Sequence, residues 1–105
     1  MSTEDNTKGA FAGESQANRK YSAFSEKAGA EGFLNVAKLF KAASEAEAIH
    51  AKRLLFALQG VGRTEENLAG SMEGEVYEYT EMYPKFIEEA QREGRQRLKL
   101  YLPMR

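Results

Sequence analysis

Small and apolar side chains in this chain recur at alternating steps of four and three along three long stretches, and a glutamate interrupts each series. The first stretch reads Ala10, Glu14, Ala17, Tyr21, Phe24, Ala28. The second reads Val36, Phe40, Ala43, Glu47, His50, Leu54, Ala57, and the third Leu68, Met72, Glu75, Tyr79, Met82, Phe86. Alternating steps of four and three mark one face of an α-helix, whereas a half-buried strand alternates at every second residue, a pattern absent here. The chain is therefore expected to be all-α, with helices at about 3–31, 33–59 and 65–93.

Local signals set the expected boundaries. Thr3 stands where an N-cap belongs, with Glu4 and Asp5 in the first turn to suit the helix dipole. Gly32 reads as a C-cap and leaves only a tight turn, so the first two helices form an antiparallel hairpin. Gly13, inside the first helix, costs roughly 1 kcal/mol relative to alanine, which suggests close approach of another backbone. Gly60-Val61-Gly62 ends the second helix, and Thr64, followed by Glu65 and Glu66, reads as the N-cap of the third. Pro84 lies inside that helix and should kink it or remove one hydrogen bond. Gly94 ends it. Residues 1–94 read as one helical domain and 95–105 as a short basic tail.

Composition excludes several classes of function. Lys and Arg together number 15 against 16 Asp and Glu, a net charge of -1, which does not favour nucleic acid or an anionic membrane as partner. No apolar run approaches a membrane span and the first residues are polar and acidic, so a cytoplasmic location is expected. There is no cysteine, hence no disulfide, thiolate metal site or cysteine nucleophile among these residues.

The interrupting residues carry the chemistry. A carboxylate and an imidazole on a buried stripe are costly unless something pairs with them. Glu47 and His50 lie one turn apart on one helix face and can reach the same metal ion. With one histidine in the chain, a metal site must be mostly carboxylate, which suits iron, manganese or zinc better than copper(I). Glu14, Glu47, His50 and Glu75, with Glu78 one turn further on, form the ligand inventory of a dinuclear carboxylate site in a four-helix bundle. The plainer alternatives are a solvated glutamate at each position and a structural histidine. Tyr21, seven residues after Glu14, is either a hydrogen-bond donor to a ligand carboxylate or an aromatic core residue. Met72 and Met82 read as core filler, and the Arg92, Arg95, Arg97, Lys99 run as a solvated end.

Three motifs resemble those of rubrerythrins. Ala10-Phe11-Ala12-Gly13-Glu14-Ser15-Gln16-Ala17 is similar to their first-helix motif, and Glu45-Ala46-Glu47-Ala48-Ile49-His50-Ala51 to their second-helix Glu-x-x-His. Glu73-Gly74-Glu75-Val76-Tyr77-Glu78-Tyr79-Thr80-Glu81-Met82-Tyr83-Pro84 resembles the third-helix motif. The resemblance spans about Ala10 to Gly94. It implies a ferritin-like four-helix bundle with a non-haem di-iron centre that reduces hydrogen peroxide. Glu14 would then be a terminal ligand, Glu47 and His50 the second-helix pair, Glu75 a bridging ligand and Glu78 the adjacent carboxylate. Tyr21 and Tyr83 match tyrosines that line the site.

Two departures shape what is expected. Rubrerythrins usually carry a four-cysteine rubredoxin-like domain; without cysteine, electrons must come from a separate donor such as a rubredoxin-like protein. The family's fourth helix brings a second Glu-x-x-His, and the sequence here leaves the pattern after Gly94 with no second copy of that motif. A homodimer would restore the ligand count, because two helix-one/helix-two hairpins supply two single glutamates and two Glu-x-x-His pairs. A rival dimer exchanges the third helix. The expected activity is reduction of hydrogen peroxide or O2. Iron handling of ferroxidase type without peroxide turnover, and an inactive remnant, are the alternatives.

Overall fold

The computed structural model describes residues 2–103. All regular structure among them is helical, in two compact units that meet in sequence at Val61 and Gly62. No helix among the described residues is long and apolar enough to cross a membrane.

The first unit is an antiparallel hairpin of α1 (Thr3–Ala30) and α2 (Leu34–Ala57). The N-cap of α1 is Ser2, not Thr3: its side chain accepts the Asp5 N–H at 3.0 Å, and Asp5 Oδ2 accepts the Ser2 N–H at 3.3 Å. This reciprocal pair satisfies two donors that the first turn leaves free. Thr3 instead donates nothing to a cap, and its carbonyl accepts the Thr7 hydroxyl at 2.8 Å.

The turn between the helices closes on Gly32, whose φ of 86° is left-handed. Phe33 N–H bonds to Ala28 O at 2.8 Å and Gly32 N–H to Gly29 O at 3.1 Å, satisfying carbonyls at the helix end. α2 stops in the same way, with Gly60 N–H on Leu55 O at 3.0 Å and Gln59 N–H on Phe56 O at 2.9 Å. Here the left-handed position is Gln59, at φ 57°, rather than one of the nearby glycines.

The seam of the hairpin is built from small residues. Ala28, Ser44 and Ala51 are buried, and the Gly29 side of α1 faces Ala37. Polar braces cross this seam. Asn18 Nδ2 donates to Ser44 O at 2.8 Å and Ser44 Oγ at 3.0 Å, and Ser44 Oγ donates to Asn18 O at 3.0 Å. Ser25 Oγ donates to Ala37 O at 2.7 Å. These bonds fix the register of one helix on the other, because a slip would strand buried polar atoms.

Ala28 apart, the seam is displaced by about one position from the stripe expected to be core. Residues of that stripe form the adjoining face, which stays open: Phe24 is 46% exposed and Val36 43%. Gly13 has no neighbour within reach of an added Cβ, so the expected close backbone approach does not occur among the described residues.

In the second unit, α3 (Thr64–Tyr77) leads through a π-helical turn (Glu78–Met82) into α4 (Tyr83–Arg92), and α5 (Gln96–Tyr101) follows. Thr64 is the first helical residue; the cap position belongs to Arg63, whose N–H bonds to Glu66 Oε1 at 2.7 Å. Asn67 pins the preceding turn through Gly62 N–H at 2.8 Å and Gly62 O at 3.0 Å.

The single third helix expected at 65–93 is thus interrupted. Pro84 has no N–H to give to the carbonyl four residues back, and the wider π turn accommodates this in place of a simple kink. Gly94, at φ 70°, ends α4 as expected. The stretch read as a tail carries the short α5. The expected core stripe of this unit is open as well, with Leu68 61%, Met72 67% and Phe86 47% exposed.

Candidate metal centre

Midway along the hairpin, one glutamate from α1 meets the Glu-x-x-His pair of α2. Ligand atoms of Glu14, Glu47 and His50 all lie within 4.8 Å of one another. His50 Nδ1 is 3.5 Å from Glu14 Oε2 and 3.6 Å from Glu47 Oε1. The seam dictates this meeting. The Asn18–Ser44 brace sits four residues after Glu14 and three before Glu47, so both glutamates emerge side by side on the open face.

Two features test whether a metal fits. Ligands held about 2.1 Å from one ion stand about 3.4 Å apart in a tetrahedral set, close to both observed separations. Glu14 Oε2 is buried and has no hydrogen-bond partner. Its distance to His50 Nδ1 is too long for a good hydrogen bond, and the remainder of its side chain is 30% exposed. An oxygen withdrawn from water and left unpaired, facing an imidazole nitrogen and a second carboxylate, is suited to a cation. The donor set of two carboxylates and one imidazole fits iron, manganese or zinc.

His50 remains half exposed, and the three groups open onto a groove of about 460 Å³ lined by Ala10, Glu14, His50, Arg53, Leu54 and Ala57. At the other end of the same face, the rings of Tyr21, Phe24 and Phe40 cluster, with Phe24 and Phe40 edge to face at 5.4 Å. Tyr21 is part of this cluster. No hydrogen bond joins its hydroxyl to Glu14 or Glu47 among the described residues, and its ring packs on Phe24 and Phe40.

Glu75 and Glu78 lie in the second unit. There they line a small cavity of about 80 Å³ with Tyr79, Tyr83 and Pro103, and Tyr83 packs edge to face on Phe86 at 5.8 Å. Glu78 opens the π turn. The Asn18–Ser44 brace is what the sequence reading missed. Its signal was a pair of polar residues at helical spacing beside two carboxylates.

Comparison with known proteins fits the order of these motifs. The rubrerythrin family model matches residues 5–102. The chain belongs to the rubrerythrin family. The match continues past Gly94, where the sequence had been expected to leave the family pattern. The chain is 40% identical over 105 residues to a rubrerythrin of Nitratidesulfovibrio vulgaris, covering 88% of this chain and 55% of that protein. It is 39% identical over 105 residues to a rubrerythrin of Porphyromonas gingivalis, covering 88% and 52%. Nigerythrin of N. vulgaris is 36% identical over 107 residues, covering 89% and 53%. The chain spans about half the length of the curated relatives it matches.

Proposed function

We propose that this chain is a non-haem di-iron protein that reduces hydrogen peroxide, or O2, with electrons from a separate donor such as a rubredoxin-like protein. The observation that carries this reading is the convergence of Glu14, Glu47 and His50 around the unpaired buried oxygen of Glu14. Family membership supports it.

The hairpin contributes half of a dinuclear ligand set. A second hairpin of the same sequence, related by a two-fold axis, contributes the other half: a second Glu14 and a second Glu47–His50 pair. The large apolar side chains left open on this unit support such pairing, because exposed apolar surface beside a polar site marks an interaction face. Glu75 and Glu78 remain proposed ligands on the strength of the third-helix motif alone.

Iron held by Glu14, Glu47 and His50 would supply the redox chemistry needed for reduction of an O–O bond. The residues of the chain do the rest. The carboxylates of Glu14 and Glu47 balance the charge of the cations and can change their mode of attachment as that charge changes. His50 would supply an imidazole nitrogen from a helix whose register on α1 is held by the Asn18–Ser44 brace. Tyr21, Phe24 and Phe40 present an aromatic surface toward one end of the same face.

The test follows peroxide. Loaded protein given NADH, a flavin reductase and a rubredoxin-like carrier is expected to consume peroxide over many turnovers. Fe(II) oxidation that stops at stoichiometry would instead assign the chain to iron handling.

A further inference from the structure

We propose that Arg53 tunes the metal site of this hairpin: its guanidinium shares a groove with Glu14 and His50, opposes added positive charge there, and so favours the ferrous over the ferric state. This rests on the metal reading of Glu14, Glu47 and His50 above and not on how two copies of the chain pack. Arg53 stands three residues after His50 on α2, so the two side chains are neighbours one turn apart, with Cβ atoms about 5–6 Å from each other. Both line the groove of about 460 Å³, together with Glu14, Ala10, Leu54 and Ala57. Of these lining residues only Arg53 carries a fixed positive charge. Lys52, its neighbour in sequence, does not line the groove.

The guanidinium does not occupy the ligand oxygens. Glu14 and Glu47 approach His50 at 3.5 and 3.6 Å, and no ion pair joins either carboxylate to Arg53 among the described residues. Arg53 therefore leaves both carboxylates free to hold a cation and acts on the site through its field. The intervening wall of Ala10, Leu54 and Ala57 is apolar, so part of that field crosses protein and not water.

Charge fixes the sign of the effect. A fixed positive charge disfavours a trivalent ion more than a divalent one, so the reduced state gains and a donor returns the site to it more readily. Charge also fixes a ratio. A divalent ion adds two charges to the empty site, whereas a one-electron oxidation adds one. On a logarithmic scale, the effect on divalent affinity is therefore twice the effect on the ferric-over-ferrous preference. Arg53 is exposed, so water weakens both. The expected sizes are about tenfold for divalent affinity and about threefold for the oxidation-state preference.

The test uses full-length protein and two readouts. One is Zn(II) affinity by chelator competition at low salt, which involves no redox chemistry. The other is the midpoint potential of the iron-loaded protein. R53Q is expected to bind Zn(II) about tenfold more tightly and to show a potential lower by about 30 mV, the equivalent of threefold for one electron. R53K keeps the charge and should match the native protein in both. K52Q removes the same charge outside the groove and should change Zn(II) affinity by about twofold at most. In 1 M salt, where the screening length is about 3 Å, the gap between R53Q and native protein should close to about twofold. Native protein that binds Zn(II), with R53Q unchanged in affinity and potential, would overturn the role of Arg53 and leave the metal site standing. R53K behaving like R53Q would also overturn it, by tying the effect to guanidinium packing and not to charge. Native protein that binds no Zn(II) would overturn the metal reading and this inference together.

Discussion

The unpaired oxygen of Glu14 predicts opposite stability effects with and without metal. Replacing Glu14 by methionine, which has a similar length and helix propensity, removes a buried acceptor that has no partner. An unsatisfied buried polar atom costs about 1–3 kcal/mol. The rest of the side chain is 30% exposed, which places the expected gain near the lower end, about 1 kcal/mol in favour of the metal-free variant. Metal reverses the order. Fe(II) at a hundred times its dissociation constant stabilises the native protein by about 2.7 kcal/mol, and the variant, lacking one ligand, should gain little. The assay is urea unfolding at one fixed protein concentration, with chelator and then under anaerobic Fe(II). The midpoints of the two proteins should exchange rank between conditions at an unchanged slope. The reasoning is refuted if E14M is the less stable protein in chelator. Glu14 would then be held by His50 as a stabilising pair, and its burial would need no metal to explain it.

Further outcomes follow from the same structure. Ser44→Ala removes one donor and one acceptor from the brace with Asn18 but leaves the Ser44 carbonyl in place, so it should cost about 1 kcal/mol of stability by chemical denaturation. Gly32→Ala should cost about 1–2 kcal/mol, and Gln59→Gly should gain about 1 kcal/mol, since both positions hold left-handed φ values of 86° and 57°. Lowering pH should weaken iron binding measured by competition with a chelator, because carboxylates and imidazole bind metal only when deprotonated.

The helices and the grouping of Glu14, Glu47 and His50 were legible because a period of four and three is a strong signal over three turns or more. The contact between α1 and α2 lies about one position round from the expected stripe, Ala28 apart. The seam within the hairpin runs through Asn18, Ser25, Ala37, Ser44 and Ala51, small or polar residues that a search for apolar stripes passes over, together with Ala28, which the first stripe did contain. The expected stripe is the open face beside the seam, and the ligands stay together because they border the seam. Ser2 was passed over as a cap although Asp5 stands three residues on, the spacing a reciprocal cap needs. The π turn leaves almost no trace in composition: only Pro84 hints at it, through a donor it lacks. Gln59 in a left-handed conformation was hidden by two nearby glycines, Gly60 and Gly62, that looked better suited.

The most direct test of the shared di-iron site is iron per chain and solution mass, measured together after anaerobic Fe(II) loading, on the native protein and on the variant lacking both Glu47 and His50. The account predicts a dimer with about one tightly held iron per chain, lost in the double variant. A monomer without iron, or iron binding undiminished in E47A/H50A, would contradict it.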